Sequence, residues 1–421
     1  MTELVKTLSA TRGAGLMLNI VVGAGLLALP GLVVESVGNH ALWAWVVCAI
    51  VAIPLLSVFI IMGRRFPNAG GIAHFSEMAF GSAAYIIASF IFLGAVAFGL
   101  PAIALTSGYY ISEIMQGHPA FYAALLILAA ALFHLVSTEI AGKISTIIAS
   151  GILLALLILV AIGFYAMDWS NAGESMPPFL EVRIDQAFLP FMMIFFAFTG
   201  WEVAASTSEE FKNPNRDFPR AMIMSFAAAC LMYFAMAFVV QNTAITGSYE
   251  SSFASIAKTV FGENGEIAVS VLAAVIVFAN LMGAIWAVSR MVLSLGREDY
   301  LPLKLQTTGN GSPVHAVLIT SCVLLAVLTT DWLGILDISK MLSIAGQNFL
   351  ILYGITGLSL FKLSNNNFEK ILSTITIAVV SILLFLEGSS IIYPASLSIA
   401  AVTIWYFKKK PEPLKKLNGI N

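Results

Sequence analysis

Charge is what this sequence has least of. Only 10% of its 421 residues are Asp, Glu, Lys or Arg, while 59% are hydrophobic and mean hydropathy is +0.92. A soluble domain carries about 25% charged residues, so a soluble chain is excluded and a polytopic all-α membrane protein is indicated. Cysteine is nearly absent. Cys48, Cys230 and Cys322 all lie in apolar segments, at spacings that build neither a disulfide framework nor a metal site. No His/Asp/Ser grouping, metal-ligand spacing or phosphate loop is present, which argues against an enzyme and against a cofactor. The polar residues at mid-depth (Asn19, Asn280, Gln347, Asn348) are few and read as one local cluster, not as the continuous polar path of a channel. The charge balance of −2 by itself says nothing about partners; no nucleic acid partner is expected. The N-terminal MTELVKTLSATRG leads into a segment too long and too interrupted for a signal-peptide core, so that segment is expected to stay in the mature chain.

What is there is a series of apolar stretches. At about 20 residues per crossing, twelve are long enough to span a bilayer, near 13–34, 41–62, 83–112, 120–137, 144–167, 187–207, 220–244, 266–294, 314–330, 341–361, 371–387 and 389–407. With the N-terminus inside, 18 of the 21 basic residues fall on the inner side; Arg183, Lys258 and Lys340 alone fall outside. The positive-inside rule then places both termini in the cytoplasm. Gly63–Gly81 reads as an inner connection with turn chemistry at Pro67-Asn68 and Gly70-Gly71, lying along the membrane surface under the bundle. The loop 245–265 contains a short helical pattern with Phe253, Ile256 and Val260 near one face, either a surface helix or a lid over an outer vestibule. Residues 408–421 are a basic tail suited to anionic headgroups.

The stretch that organises the chain is Asn19–Pro30, NIVVGAGLLALP, inside the first apolar segment. Gly23 and Gly25 each weaken a helix by about 1 kcal/mol relative to alanine, and Pro30 lacks an N–H and frees a carbonyl one turn back. Backbone freed at this depth persists only where it is buried in protein or lines a cavity. Close helix packing through small residues is the alternative. A second interruption lies in the sixth segment, where the aromatic run containing Phe191, Phe195, Phe196 and Phe198 meets Thr199-Gly200 and then Glu202. Glu202 is the acidic residue placed well inside the bilayer, where a carboxylate is costly unless protonated, hydrated or paired. Two roles stand open for it: binding or proton coupling, and capping of freed amides that hold the helix break together.

Interrupted segments five apart point to a binding site between two repeats. Residues 13–167 would form the first and 187–361 the second, inverted because each contains an odd number of crossings; 371–407 would add two further helices. The half-helix after Gly23-Ala24-Gly25 aims free N–H groups and its positive dipole end into the cavity, which suits a carboxylate. Carbonyls released near Ile20, Val21 and Val22, and from Phe196 to Phe198, can accept from an ammonium group. Those two groups together match the zwitterionic end of an α-amino acid. The other walls are apolar and aromatic, with no mid-depth Lys or Arg, so a neutral apolar side chain fits best.

These motifs carry a resemblance. Gly23, Gly25 and Pro30, then Phe198, Gly200 and Glu202 followed by Asn213-Pro214 and Pro219, then Ser289, Arg290, Arg297, Leu301 and Pro302 resemble the pattern of the amino acid/polyamine/organocation (APC) transporters, in the same order over about 400 residues. Within that family the Pro67–Gly81 loop and SEEFKNPNRDFPRA look most like its bacterial exporters of L-methionine and branched-chain amino acids. The resemblance implies a fold of twelve transmembrane helices built as a 5+5 inverted repeat with helices 1 and 6 discontinuous, in the inner membrane. It implies alternating access, proton coupling or exchange, and a monomer or homodimer. It implies a substrate site at Ile20, Val21, Val22, Gly23, Ala24, Gly25, Phe196, Phe198, Thr199 and Gly200, with Glu202 in proton coupling or gating. There are departures. Some proton-coupled members carry a lysine where this chain has Ile152, and arginine exchangers carry tryptophan and isoleucine where it has Phe196 and Thr199. His134 reads as a satisfied inner-side residue and not as a relay. Import, exchange and a non-transporting amino acid sensor share the fold and stay open at this point.

Overall fold

In a computed structural model of the chain, residues 8–67, 71–136, 138–167, 169, 176–301, 314–387 and 391–408 are described. Asn68–Gly70 of the predicted turn, Pro302 and the tail beyond Lys408 lie outside them. The described residues are helical, apart from loops and one isolated parallel bridge, Leu8 to Phe211. The first five helices are α1 (Ala10–Val21), α2 (Leu29–Val37), α3 (Ala41–Arg65), α4 (Gly71–Phe80) and α5 (Ser82–Ile114). Then come α6 (Pro119–Val136), α7 (Thr138–Ala166), α8 (Ile184–Phe188), α9 (Phe191–Ala197), α10 (Trp201–Ser206) and α11 (Pro214–Gln241). The last five are α12 (Ser252–Arg297), α13 (Val314–Trp332), α14 (Ile338–Leu363), α15 (Asn367–Glu387) and α16 (Ile392–Lys408). Among the described residues seven helical stretches are long and apolar enough to cross a membrane, and three shorter apolar ones accompany them. Each of the twelve apolar stretches read from the sequence is helical over most of its described residues.

The bundle is ordered by where the helices break. Ser9 caps α1 by accepting from the Arg12 N–H. A 3-10 turn at Ala24–Leu27 follows, and Pro30, in the first turn of α2, sits where its missing N–H is no loss. Large apolar side chains such as Ile50, Leu154, Leu231 and Phe385 stay exposed around the rim, as lipid-facing positions do, while Trp45, Phe59, Phe195, Phe198, Tyr233 and Tyr353 are wholly buried.

Two faces can be defined, a near face where α1 begins and a far face where α2 ends. On the near face α4 packs under α5 and α14 with Ile72, Phe75 and Ala79 buried, as the surface-segment reading expects. The Leu8 N–H donates to the Glu210 carbonyl and the Lys212 N–H to the Leu8 carbonyl, both at 3.0 Å. Arg65 pairs with the buried Glu369 at 2.8 Å. On the far face the loop helix differs from a surface helix. Residues 252–257 are all buried, and α12 runs continuously from them except for a kink at Gly262. Tyr249 lies so close over α2 that a Cβ at Gly31 would stand 1.8 Å from its carbonyl oxygen. Ser251 Oγ donates to Glu113 at 2.6 Å, Tyr110 donates to the Leu27 carbonyl at 3.0 Å, and Gln241 accepts from the Leu42 N–H at 2.9 Å. The loop therefore covers this face as a packed plug. Phe253 and Ile256 turn inward, because the helix has neighbours on both sides that composition does not reveal.

Candidate functional site

The two breaks meet at one cavity of ≈ 580 Å³. Ile20, Val21, Gly23 and Gly25 from the first break line it, with Phe196, Thr199, Gly200 and Glu202 from the second. Val22, Ala24 and Phe198 do not line it; they are buried in the surrounding protein. Phe92, Gly99 and Ile103 of α5, Ile152 of α7, Asn280 and Gly283 of α12 and Phe349 of α14 complete the wall. The lining continues past Leu16, Val203 and Val288, towards the near face, whereas the far face is closed by the plug. None of these lining residues is Lys or Arg, and Ile152 lines the cavity with an apolar side chain.

The first break offers donors. Val22 N–H still reaches the Leu18 carbonyl at 2.8 Å, but the 3-10 turn begins afresh at Ala24. Its first amides therefore have no partner within the turn. The second break is forced by Gly200, whose φ of +102° lies in the left-handed region that only glycine enters freely. A Cβ there would also stand 3.3 Å from the Val21 Cα, so the two breaks touch through their backbones.

Partners for the freed groups come from distant helices and from the second break itself. Tyr233 of α11 donates to the Ala197 carbonyl at 2.6 Å and reaches the Val21 carbonyl at 3.4 Å, bridging both breaks. Thr199 Oγ1 donates to the Phe196 carbonyl at 2.7 Å. Glu202 accepts from the Gly200 N–H with both carboxyl oxygens, at 3.0 and 2.9 Å, and from the Tyr353 hydroxyl at 2.9 Å. Tyr353 in turn lies within 4.6 Å of the Phe59 ring and 5.4 Å of Phe195, centroid to centroid. The carbonyls of Phe196, Ala197 and Val21 are thus already engaged, which narrows the acceptors expected for an ammonium group. The Ile20 and Val22 carbonyls accept from no described residue, and Ile20 faces Gly200 across the gap.

Sequence reasoning missed Tyr233 and Tyr353. The available signal was a tyrosine inside an apolar helix, whose hydroxyl needs a partner when buried. Asn19 and Asn280 do reach the cavity, with Asn280 Nδ2 3.5 Å from where a Cβ on Gly23 would stand. Asn348 instead turns its amide back to the Ile344 carbonyl at 2.8 Å, away from the lining. His134 is buried with Nε2 2.7 Å from the Met282 carbonyl, as a satisfied residue would be.

Paired broken helices around a cation-free apolar cavity are the architecture of a carrier, and comparison with known proteins agrees. Residues 8–408 match the family described as Amino acid permease. The chain belongs to that family, within the APC superfamily. It is 30% identical over 432 residues to the L-methionine/branched-chain amino acid exporter YjeH of Escherichia coli (strain K12), with 100% of both chains covered. It is 28% identical over 428 residues to the uncharacterized amino acid permease YecA of Bacillus subtilis (strain 168), with 99% of both covered. Among solved structures, an outward-open Na+-coupled sialic acid symporter aligns with a TM-score of 0.59 at 13% identity, covering 95% of this chain and 89% of that one. That likeness concerns the fold alone. The chain is a multi-pass membrane amino acid transporter, and its relatives are transporters, not enzymes.

Proposed function

We propose that this transporter is a secondary active exporter of neutral apolar amino acids (methionine, leucine, isoleucine and valine) that works by proton-coupled alternating access. The observation that carries the reading is the juxtaposition at the cavity: Gly25 in the opening of the 3-10 turn, whose first amides have no partner within it, the Ile20 carbonyl opposite, and walls without a cation. The substrate carboxylate would take the amides and its ammonium the carbonyls, while the side chain would lie among Phe196, Gly99, Ile103 and Phe349. Export is favoured by the full-length identity to the exporter named above. Twelve crossings arranged as a 5+5 inverted repeat follow from the breaks in the first and sixth segments. The distribution of Lys and Arg puts the near face and both termini in the cytoplasm of the inner membrane. The cavity lining runs towards that face, so the conformation described would be the inward-facing one. Glu202 would carry the coupling proton, since the position at Ile152 offers no lysine.

Selectivity tests this reading. Leucine should displace labelled methionine from the purified protein, while arginine and glutamate should bind at least about 100-fold more weakly, because their side-chain charges would be buried unpaired at several kcal/mol. Arginine competing as well as leucine contradicts the assignment.

A further inference from the structure

The bundle's glycines divide by what they touch. At Gly31, Gly108 and Gly346 a Cβ would stand 1.8, 2.1 and 2.0 Å from a carbonyl oxygen of another segment, so those residues let backbones approach. Gly99 is different. A Cβ there would stand 2.8 Å from Phe196 Cε2 and 3.1 Å from Cζ, with the Ala345 Cβ next at 3.4 Å. Its nearest neighbour is the far end of a side chain that can turn, and both residues line the cavity.

The opposite edge of the same ring is also seated on glycine. A Cβ at Gly25 would stand 3.4 Å from Phe196 Cε1 and 3.8 Å from Cδ1. The ring therefore bridges from the first break to α5, held between two positions that lack side chains. A third side is limited by Phe349, 6.2 Å away and tilted by 52°, which is itself braced edge-on by Phe92 at 6.0 Å. A ring displaced from Gly99 has the cavity as its remaining free volume.

We propose that Gly99 is a specificity-determining position acting through Phe196: as the seat of that ring it sets how large a substrate side chain the cavity accepts. The inference rests on reading the cavity as an amino acid site. Gly99 is thus a positioning residue, and its effect is on the ratio between large and small substrates, not on binding as a whole. A Cβ at 99 moves the ring into the space the substrate side chain needs, so long side chains lose room while the α-amino and α-carboxyl groups keep their partners.

The test compares wild type, Gly99→Ala and Gly99→Ala/Phe196→Leu, measuring binding of methionine, leucine and alanine to each purified protein. In Gly99→Ala the affinities for methionine and leucine should fall about tenfold or more relative to alanine, the scale of one methyl group in a tight apolar pocket. Removing the ring in the double variant should return the ratio to that of wild type. An unchanged ratio in Gly99→Ala, or a double variant that loses as much as the single one, overturns the inference. Should the single variant not fold, a double variant that folds and binds supports the seat, and one that also fails overturns it. Wild type that binds none of the three overturns the amino acid reading and this inference with it, an outcome distinct from binding with an unaltered ratio.

Discussion

Valine at position 23 or 25 is expected to lower methionine affinity by at least about 100-fold, equivalent to about 2.8 kcal/mol, in a protein that still folds and inserts. The space explains both halves of that result. A single Cβ would meet Asn280 Nδ2 at 3.5 Å from position 23 and Phe196 Cε1 at 3.4 Å from position 25, which are ordinary contacts that the bundle tolerates. The two γ-methyl groups of valine have no such room. They would project into the cavity, over the amides that begin the 3-10 turn. A substrate carboxylate kept from those amides forfeits hydrogen bonds of the charged kind, worth about 1.5–3 kcal/mol each. Calorimetric binding of methionine alongside thermal unfolding in detergent separates the two effects. Wild-type affinity in either variant would refute the placement of the site.

Glu202→Gln is expected to keep substrate binding and counterflow exchange while removing the pH dependence of net flux. The structure makes the two roles of this carboxyl compatible. It receives the Gly200 N–H and the Tyr353 hydroxyl, so it holds the second break together, and it also lines the cavity, from which a proton can be exchanged. A glutamine oxygen can still accept from Gly200. Tyr353 can turn its hydroxyl hydrogen towards the Phe198 carbonyl, 3.5 Å away, and accept from the new amide. Shape and hydrogen bonding thus survive, and titration does not. If Glu202 is ionised in one facing state and protonated in the other, a pH difference biases the equilibrium between the states, and antiport exports the amino acid against an inward proton gradient. Flux measured at several pH values in reconstituted vesicles decides. A purely structural carboxyl predicts the reverse pattern: weakened folding or binding, with residual transport keeping its normal pH profile.

Much of this architecture can be read along the chain because breaks in membrane helices are written locally. Gly23, Gly25 and Pro30 mark the first, Thr199-Gly200 the second, and both reach one cavity. Glu202 stands out because a carboxyl in an apolar run is costly. What cannot be read is which groups answer the broken backbone. Tyr233 and Tyr353 lie one and four helices beyond α10, and their contact with the breaks depends on packing, not on spacing. For the same reason the carbonyls of Val21 and Ala197 look free in sequence and are engaged in the folded chain, while that of Phe196 is taken locally by Thr199 Oγ1. Val22, Ala24 and Phe198 share the motif but turn into the protein, since a broken helix does not keep its 3.6-residue face. The buried helix at 252–257 leaves a surface helix and a lid both open in sequence for a similar reason, as Glu113 and α2, which hold it, are far away in sequence.

Counterflow of labelled L-methionine in proteoliposomes carrying the purified chain tests the central claim most directly. Vesicles loaded with unlabelled methionine or leucine should accumulate the label transiently, vesicles loaded with arginine should not, and Gly25→Val should abolish the signal. Accumulation no greater than in protein-free vesicles, or equal accumulation with arginine inside, would contradict a carrier for neutral apolar amino acids at the paired helix breaks.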